Sequence, residues 1–102
     1  MVTNHFCTPT FTTKGGTGLY VKNIYRPFER TDLKYQSNSC ESIFIEISNS
    51  RSKNIICGSI YRHPGHNTEE FLSYLEHILK LLVTENKELY LCGDFNILTF
   101  KV

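Results

Sequence analysis

Ile55-Ile-Cys-Gly-Ser-Ile-Tyr61, Phe71-Leu-Ser-Tyr-Leu-Glu-His-Ile-Leu-Lys-Leu-Leu82 and Leu89-Tyr-Leu-Cys92 are three apolar stretches of different period, and their order decides the fold. The first is short and nearly continuously apolar, as a strand buried on both faces requires. In the second, Phe71, Leu75, Ile78, Leu79 and Leu82 recur at helical spacing and give one apolar face running to about Thr84. Asn67 stands where an N-cap belongs, Glu70 closes a capping box with it, and acidic Glu69 and Glu70 suit the positive end of the helix dipole. After the polar break Glu85 to Glu88, the third stretch is a short strand ending in Gly93. Strand, helix and strand of these lengths form a βαβ unit. Ile55 to Ile60 and Leu89 to Cys92 are therefore predicted to run parallel in one sheet.

Upstream, Glu41 to Ile47 alternates, with Ile43, Ile45 and Ile47 on one side and Ser42, Phe44 and Glu46 on the other, which predicts a half-buried strand. The polar turn Asn49 to Lys53 joins it to Ile55, so the two strands are expected to form an antiparallel hairpin. Gly15, Gly16 and Gly18 punctuate the entry to a short strand, Leu19 to Lys22. Because a strand and not a helix follows, the glycines lack the amide-bearing helix terminus of a phosphate loop. Lys22, Arg26, Arg30 and Lys34 recur every fourth residue, yet Pro27 and the mixed polar composition make Asn23 to Ser39 a loop and not a basic helix. Residues 1–14 are polar, threonine-rich and without period, so they read as an irregular segment ahead of a domain over residues 15–102.

The length of 102 residues suits one small domain, and 40% hydrophobic with 21% charged residues is globular composition. A net charge of +1 supplies no strong field toward nucleic acid or anionic membrane, so such a partner has to be argued from a site. Cys7, Cys40, Cys57 and Cys92 contain no close pair and match neither a zinc ribbon nor a dithiol redox motif. They read as buried, reduced thiols, which suits an intracellular location, nuclear or cytoplasmic. The first residues lack the basic start and apolar stretch of a signal peptide, and no apolar run approaches bilayer length. Neither a membrane partner nor an obligate oligomer is expected.

Parallel strands share a carboxyl edge, and in open α/β sheets ligands bind there. The segments leaving that edge are Tyr61-Arg-His-Pro-Gly-His-Asn67 and Gly93-Asp-Phe-Asn96. In extended geometry Asp94 and Asn96 share a side while Phe95 turns away. Asp94 can accept a proton from water or hold a divalent cation, and Asn96 can donate to a phosphate oxygen as charge builds there, which outlines phosphodiester hydrolysis. An Asx turn fits the same two residues equally well. Tyr61 and Arg62 can contact the same phosphate, Arg62 through its bidentate fork. His63 and His66 read as polar loop residues near the site, since a loop does not fix their spacing on one face as metal ligands need. Glu41 and Glu46 can donate a further carboxylate to the site, although an exposed strand glutamate is the commoner outcome.

Lys14-Gly-Gly-Thr-Gly-Leu-Tyr-Val-Lys22, Glu41-Ser-Ile-Phe-Ile-Glu-Ile47, Gly58-Ser-Ile-Tyr-Arg-His-Pro64, the amphipathic helix and Gly93-Asp-Phe-Asn96, in this order, resemble the endonuclease/exonuclease/phosphatase superfamily. More narrowly, they resemble the apurinic/apyrimidinic-type endonuclease domain of non-long-terminal-repeat retrotransposons. The resemblance implies a magnesium-dependent phosphodiesterase that nicks DNA, on a partial four-layer α/β sandwich of DNase I-like type whose mixed sheet contains the βαβ unit. It implies that Asp94 activates water, Asn96 binds phosphate and Tyr61 is the active-site tyrosine, the Mg2+ ligands being unknown; Arg62, His63 and Asn67 of the neighbouring loop read as substrate-binding residues. Gly65 departs from the pattern, because the family often has asparagine directly after the proline.

The family's first strand with its asparagine, its metal-binding glutamate and its Ser-Asp-His segment have no counterpart, so the chain reads as an internal fragment. A positioned general base is worth roughly 10² to 10⁴ in rate, whereas enzymatic accelerations take about 8 to 23 kcal/mol. Little or no nuclease activity is therefore expected of these residues alone. The alternatives are a superfamily phosphatase acting on a phosphorylated lipid or inositol, and an inactive remnant α/β binding module.

Overall fold

The computed structural model describes residues 3–7, 17–65 and 68–94. Its strands are β1 (Thr3–Cys7), β2 (Gly18–Lys22), β3 (Phe28–Glu29), β4 (Tyr35–Gln36), β5 (Cys40–Ile47), β6 (Ile55–Arg62) and β7 (Glu88–Asp94), and its one α-helix among the described residues is α1 (Thr68–Thr84). The protein is thus α/β, with a mixed sheet.

The hairpin of β5 and β6 is antiparallel and in register from Cys40 opposite Arg62 to Ile47 opposite Ile55. From β6 the chain crosses through α1 and returns in β7 parallel to β6, from Ile55 beside Glu88 to Tyr61 beside Asp94. The other edge of β5 is shared end to end by two short strands, β3 at Ile45 and Glu46 and β4 at Glu41 and Ser42. Thr3–Cys7 falls in the segment read as irregular, yet it is strand β1, paired antiparallel with β2 from Thr3 opposite Lys22 to Cys7 opposite Gly18. Its ladder partner lies outside its own sequence, so no local period announces it. The expected loop over 23–39 likewise contains β3 and β4, two residues each, too short to leave an alternation.

Strand parity divides the residues of the central sheet between two faces. Cys40, Phe44, Ile56 and Ile60 pack with Phe71, Leu75, Ile78 and Leu82 of α1 and with Leu33, and Leu89 and Leu91 of β7 close one side of the cluster. Burying the four helix side chains contributes on the order of 6 to 12 kcal/mol before conformational entropy is subtracted. Gly58 makes room for this layer, because a Cβ there would meet the Phe44 ring at 2.4 Å and Leu91 at 2.9 Å. Tyr74 of α1 stacks on Tyr35 at 4.3 Å between ring centroids and hydrogen-bonds the Ser42 hydroxyl. Burial pushes the Tyr74 phenol up to about 12.

On the opposite face Ile43 and Ile45 are fully buried, β2 lies against β5, and the hydroxyls of Thr17 and Ser59 hydrogen-bond. The β5 strand is therefore covered on both sides rather than one. Cys40 is buried and Cys57 partly so, with burial raising both thiols, but Cys92 is exposed, contrary to the expectation of a buried thiol. It lies on the face away from α1, on a strand that pairs only with β6 among the described residues. Among those residues no helix is long and apolar enough to cross a membrane.

A polar knot closes the amino end of β6 and β7. Arg30 donates to Glu85 through both terminal nitrogens at 2.8 and 2.9 Å, to Glu46 at 2.7 Å and to Asp32 at 2.8 Å. Lys87 adds contacts of 2.9 Å to Glu46 and 3.0 Å to Glu85, and the Asn54 amide donates to Glu46 at 2.7 Å. Glu46 is thus buried and not exposed as expected, because its partners come from distant parts of the chain. Burial alone would raise its carboxyl, but hydrogen bonds from Asn54, Lys87 and Arg30 outweigh that and hold it low. Glu85 is held at about 2 by the hydrogen bonds of Arg30 and Lys87.

Candidate functional site

The carboxyl edge of the sheet lies at the opposite end from this knot, where β6 and β7 finish. Tyr61 and Asp94 face each other as register partners of the parallel pair, and Glu41 of β5 is the partner of Tyr61 on its other side. Gln36 of β4 is in turn the partner of Glu41. One transverse row, Gln36, Glu41, Tyr61 and Asp94, therefore crosses four strands. Register partners send their side chains to the same face. That face is the one turned away from α1.

Two features fix the row. Gly93 lets β7 approach β6, because a Cβ there would stand 1.9 Å from the Ile60 carbonyl oxygen. His63 extends the hairpin beyond Arg62 by donating its backbone N–H to the Ser39 carbonyl at 2.8 Å. Its ring then meets the Tyr61 ring edge-on, with centroids 5.0 Å apart and planes at 78°. Tyr61 is half-buried and Asp94 exposed, so the row grades from a covered acid at Glu41 to an open one at Asp94.

Glu41, expected as an exposed strand glutamate or else as a further carboxylate for the site, is not exposed. Its side chain is fully buried, with Oε1 accepting from the Gln36 amide at 3.0 Å and Oε2 lying 3.8 Å from His63 Nε2. Oε2 has no hydrogen-bond partner among the described residues. A buried carboxylate oxygen left without a donor is costly, so a native chain seldom keeps one without a task. Only the register with Tyr61, which the hairpin length fixes, gave a signal for it in the sequence.

Arg62 was expected beside the same phosphate as Tyr61. The structure does not bring it there: alternation turns Arg62 to the α1 face, where its Nη2 donates to Thr68 Oγ1 at 2.8 Å. It is buried and, together with the Ser39 hydroxyl donating to Glu70 at 3.2 Å, ties the first turn of α1 to the carboxyl edge. Tyr61 and Arg62 belong to β6 itself, so the loop begins only at His63. Asn96, Asn67 and His66 lie outside the described residues. Among the described residues no group of three or more His, Cys, Asp or Glu side chains is placed to hold a metal ion.

The arrangement offers an exposed carboxylate, a phenol in register with it on the neighbouring strand, and an imidazole 3.8 Å from a buried acid. Asp94 can accept a proton, Tyr61 can donate to an anionic oxygen, and His63 can do either. Comparison with protein-family models, with curated proteins and with solved structures found no match.

Proposed function

We propose that the carboxyl edge of this sheet is part of a phosphodiesterase site of the endonuclease/exonuclease/phosphatase type, on a partial DNase I-like sandwich, and that its substrate is DNA. One observation carries the reading: Tyr61 and Asp94, which the resemblance assigns to the site, stand side by side in the register of the parallel pair. The choice of DNA rests on the resemblance of the Tyr61-Arg-His-Pro64 and Gly93-Asp-Phe-Asn96 segments to the retrotransposon endonucleases.

In this reading Tyr61 donates its hydroxyl hydrogen bond to a non-bridging phosphate oxygen, and Asp94 accepts a proton from the attacking water. Asn96 would donate to the phosphate from the same segment. The resemblance also calls for Mg2+, but the described residues do not by themselves form a site for it, so no step is routed through the ion.

The experiment is conversion of supercoiled plasmid to open circles in magnesium buffer by the unmodified chain, Asp94→Asn and Tyr61→Phe. Slow nicking is expected from the unmodified chain, falling roughly 10²-fold or more in Asp94→Asn. Nicking that survives Asp94→Asn overturns the assignment of Asp94. Phosphate release from an inositol phosphate with plasmid left intact favours the phosphatase, and absence of both activities favours the inactive binding module.

A further inference from the structure

Glu41 and His63 approach one another from opposite sides of a strand pair. Glu41 leaves β5, His63 follows the last residue of β6, and the ring nitrogen nearest the acid is Nε2, 3.8 Å from Oε2. Both side chains are buried, and Tyr61 lies against His63 while holding the place between Glu41 and Asp94 in the row. The Glu41 carboxylate is itself oriented, since the Gln36 amide holds Oε1 and thereby directs Oε2 away from Gln36.

We infer that Glu41 is a positioning residue whose Oε2 selects the His63 tautomer protonated at Nε2, with the ring lone pair on Nδ1. An ionised carboxylate only accepts hydrogen bonds, so the ring nitrogen facing it has to carry the hydrogen. At 3.8 Å the pair forms no closed hydrogen bond, and the selection is electrostatic: the N–H is favoured on the ring nitrogen nearest the carboxylate. No covalent step is involved, since the acid acts through the imidazole alone. The role in turnover rests on the phosphodiesterase reading, in which the His63 ring, packed edge-on against Tyr61, holds that phenol for the phosphate while Asp94 takes the proton from water. The tautomer itself does not rest on it.

The test is a two-bond proton–nitrogen NMR correlation spectrum of the histidine rings in the 15N-labelled chain, at a pH where the His63 ring is neutral, with His63→Asn used to assign the signals. The expected result is a proton on Nε2 of His63. In Glu41→Gln the Gln36 amide still donates to the neighbouring oxygen, so the new side-chain amide N–H faces His63 and donates to Nε2. The proton is then expected on Nδ1, a reversal that a merely structural role would not produce. A proton on Nδ1 in the unmodified chain overturns the inference even if Glu41→Gln fails to fold, and so does an unchanged tautomer in a folded Glu41→Gln. In a chain that nicks plasmid, Glu41→Gln is further expected to lower the rate roughly 10²-fold with little change in DNA affinity. An unchanged rate there overturns the role in turnover. Absence of nicking counts against the phosphodiesterase reading and leaves the spectrum to decide the tautomer.

Discussion

The Cα of Gly93 sits so close to Ile60 that a methyl group added to it would stand 1.9 Å from the Ile60 carbonyl oxygen. That oxygen is backbone inside a paired strand and has nowhere to move. Gly93→Ala is accordingly expected to cost roughly 1 to 3 kcal/mol or more, read as a lower urea midpoint at an unchanged denaturant slope. A wild-type midpoint would show that β7 does not approach β6 this closely.

Gly58 poses the same problem with softer neighbours. Gly58→Ala drives its methyl into the Phe44 ring and Leu91, side chains that can be shortened. It is expected to destabilise by about 1 to 3 kcal/mol in the native background and by clearly less in Phe44→Leu. Additive costs in that double-mutant cycle, measured by urea unfolding, would separate Gly58 from the ring.

The polar knot makes stability depend on acid. A carboxylate that is harder to protonate folded than unfolded contributes stability above its unfolded value and loses it as pH falls through the folded one. For Glu85 those limits are its ordinary 4.5 and about 2. Glu46 moves in the same direction. The melting temperature is expected to fall as pH drops from about 4.5 toward 2, while Glu85→Gln, already without that carboxylate, falls less steeply. Parallel curves for the two proteins would remove Glu85 from the account.

Arg62 separates stability from ligand contact. Arg62→Met removes its charge-assisted hydrogen bond to Thr68 and is expected to cost about 1.5 to 3 kcal/mol and, if the proposed binding of DNA holds, to leave that affinity unchanged in the fraction that remains folded. A marked loss of affinity without loss of stability would put Arg62 at the ligand after all.

The hairpin, α1 and β7 were legible in the sequence because each has a period of its own, two for Glu41 to Ile47 and helical for Phe71 to Leu82. Thr3–Cys7, Phe28–Glu29 and Tyr35–Gln36 were not, because what makes them strands is a partner far along the chain. The two glutamates of β5 were misread for the same reason. A strand glutamate is exposed by default, and only Arg30, Lys87 and Asn54 at one end, and Gln36 with His63 at the other, turn Glu46 and Glu41 inward. Placing Arg62 beside Tyr61 was avoidable, since neighbours in a strand point to opposite faces whatever their chemistry.

That last rule makes the candidate site a matter of parity. Between Ile55 and Tyr61, an insertion of one residue that left the turn intact would turn Tyr61 toward the helix and bring its predecessor out beside Asp94, whereas an insertion of two would restore the original facing. Chains that differ by odd-length insertions in this strand should therefore lose the pairing of phenol and acid even where every residue of the segment is retained.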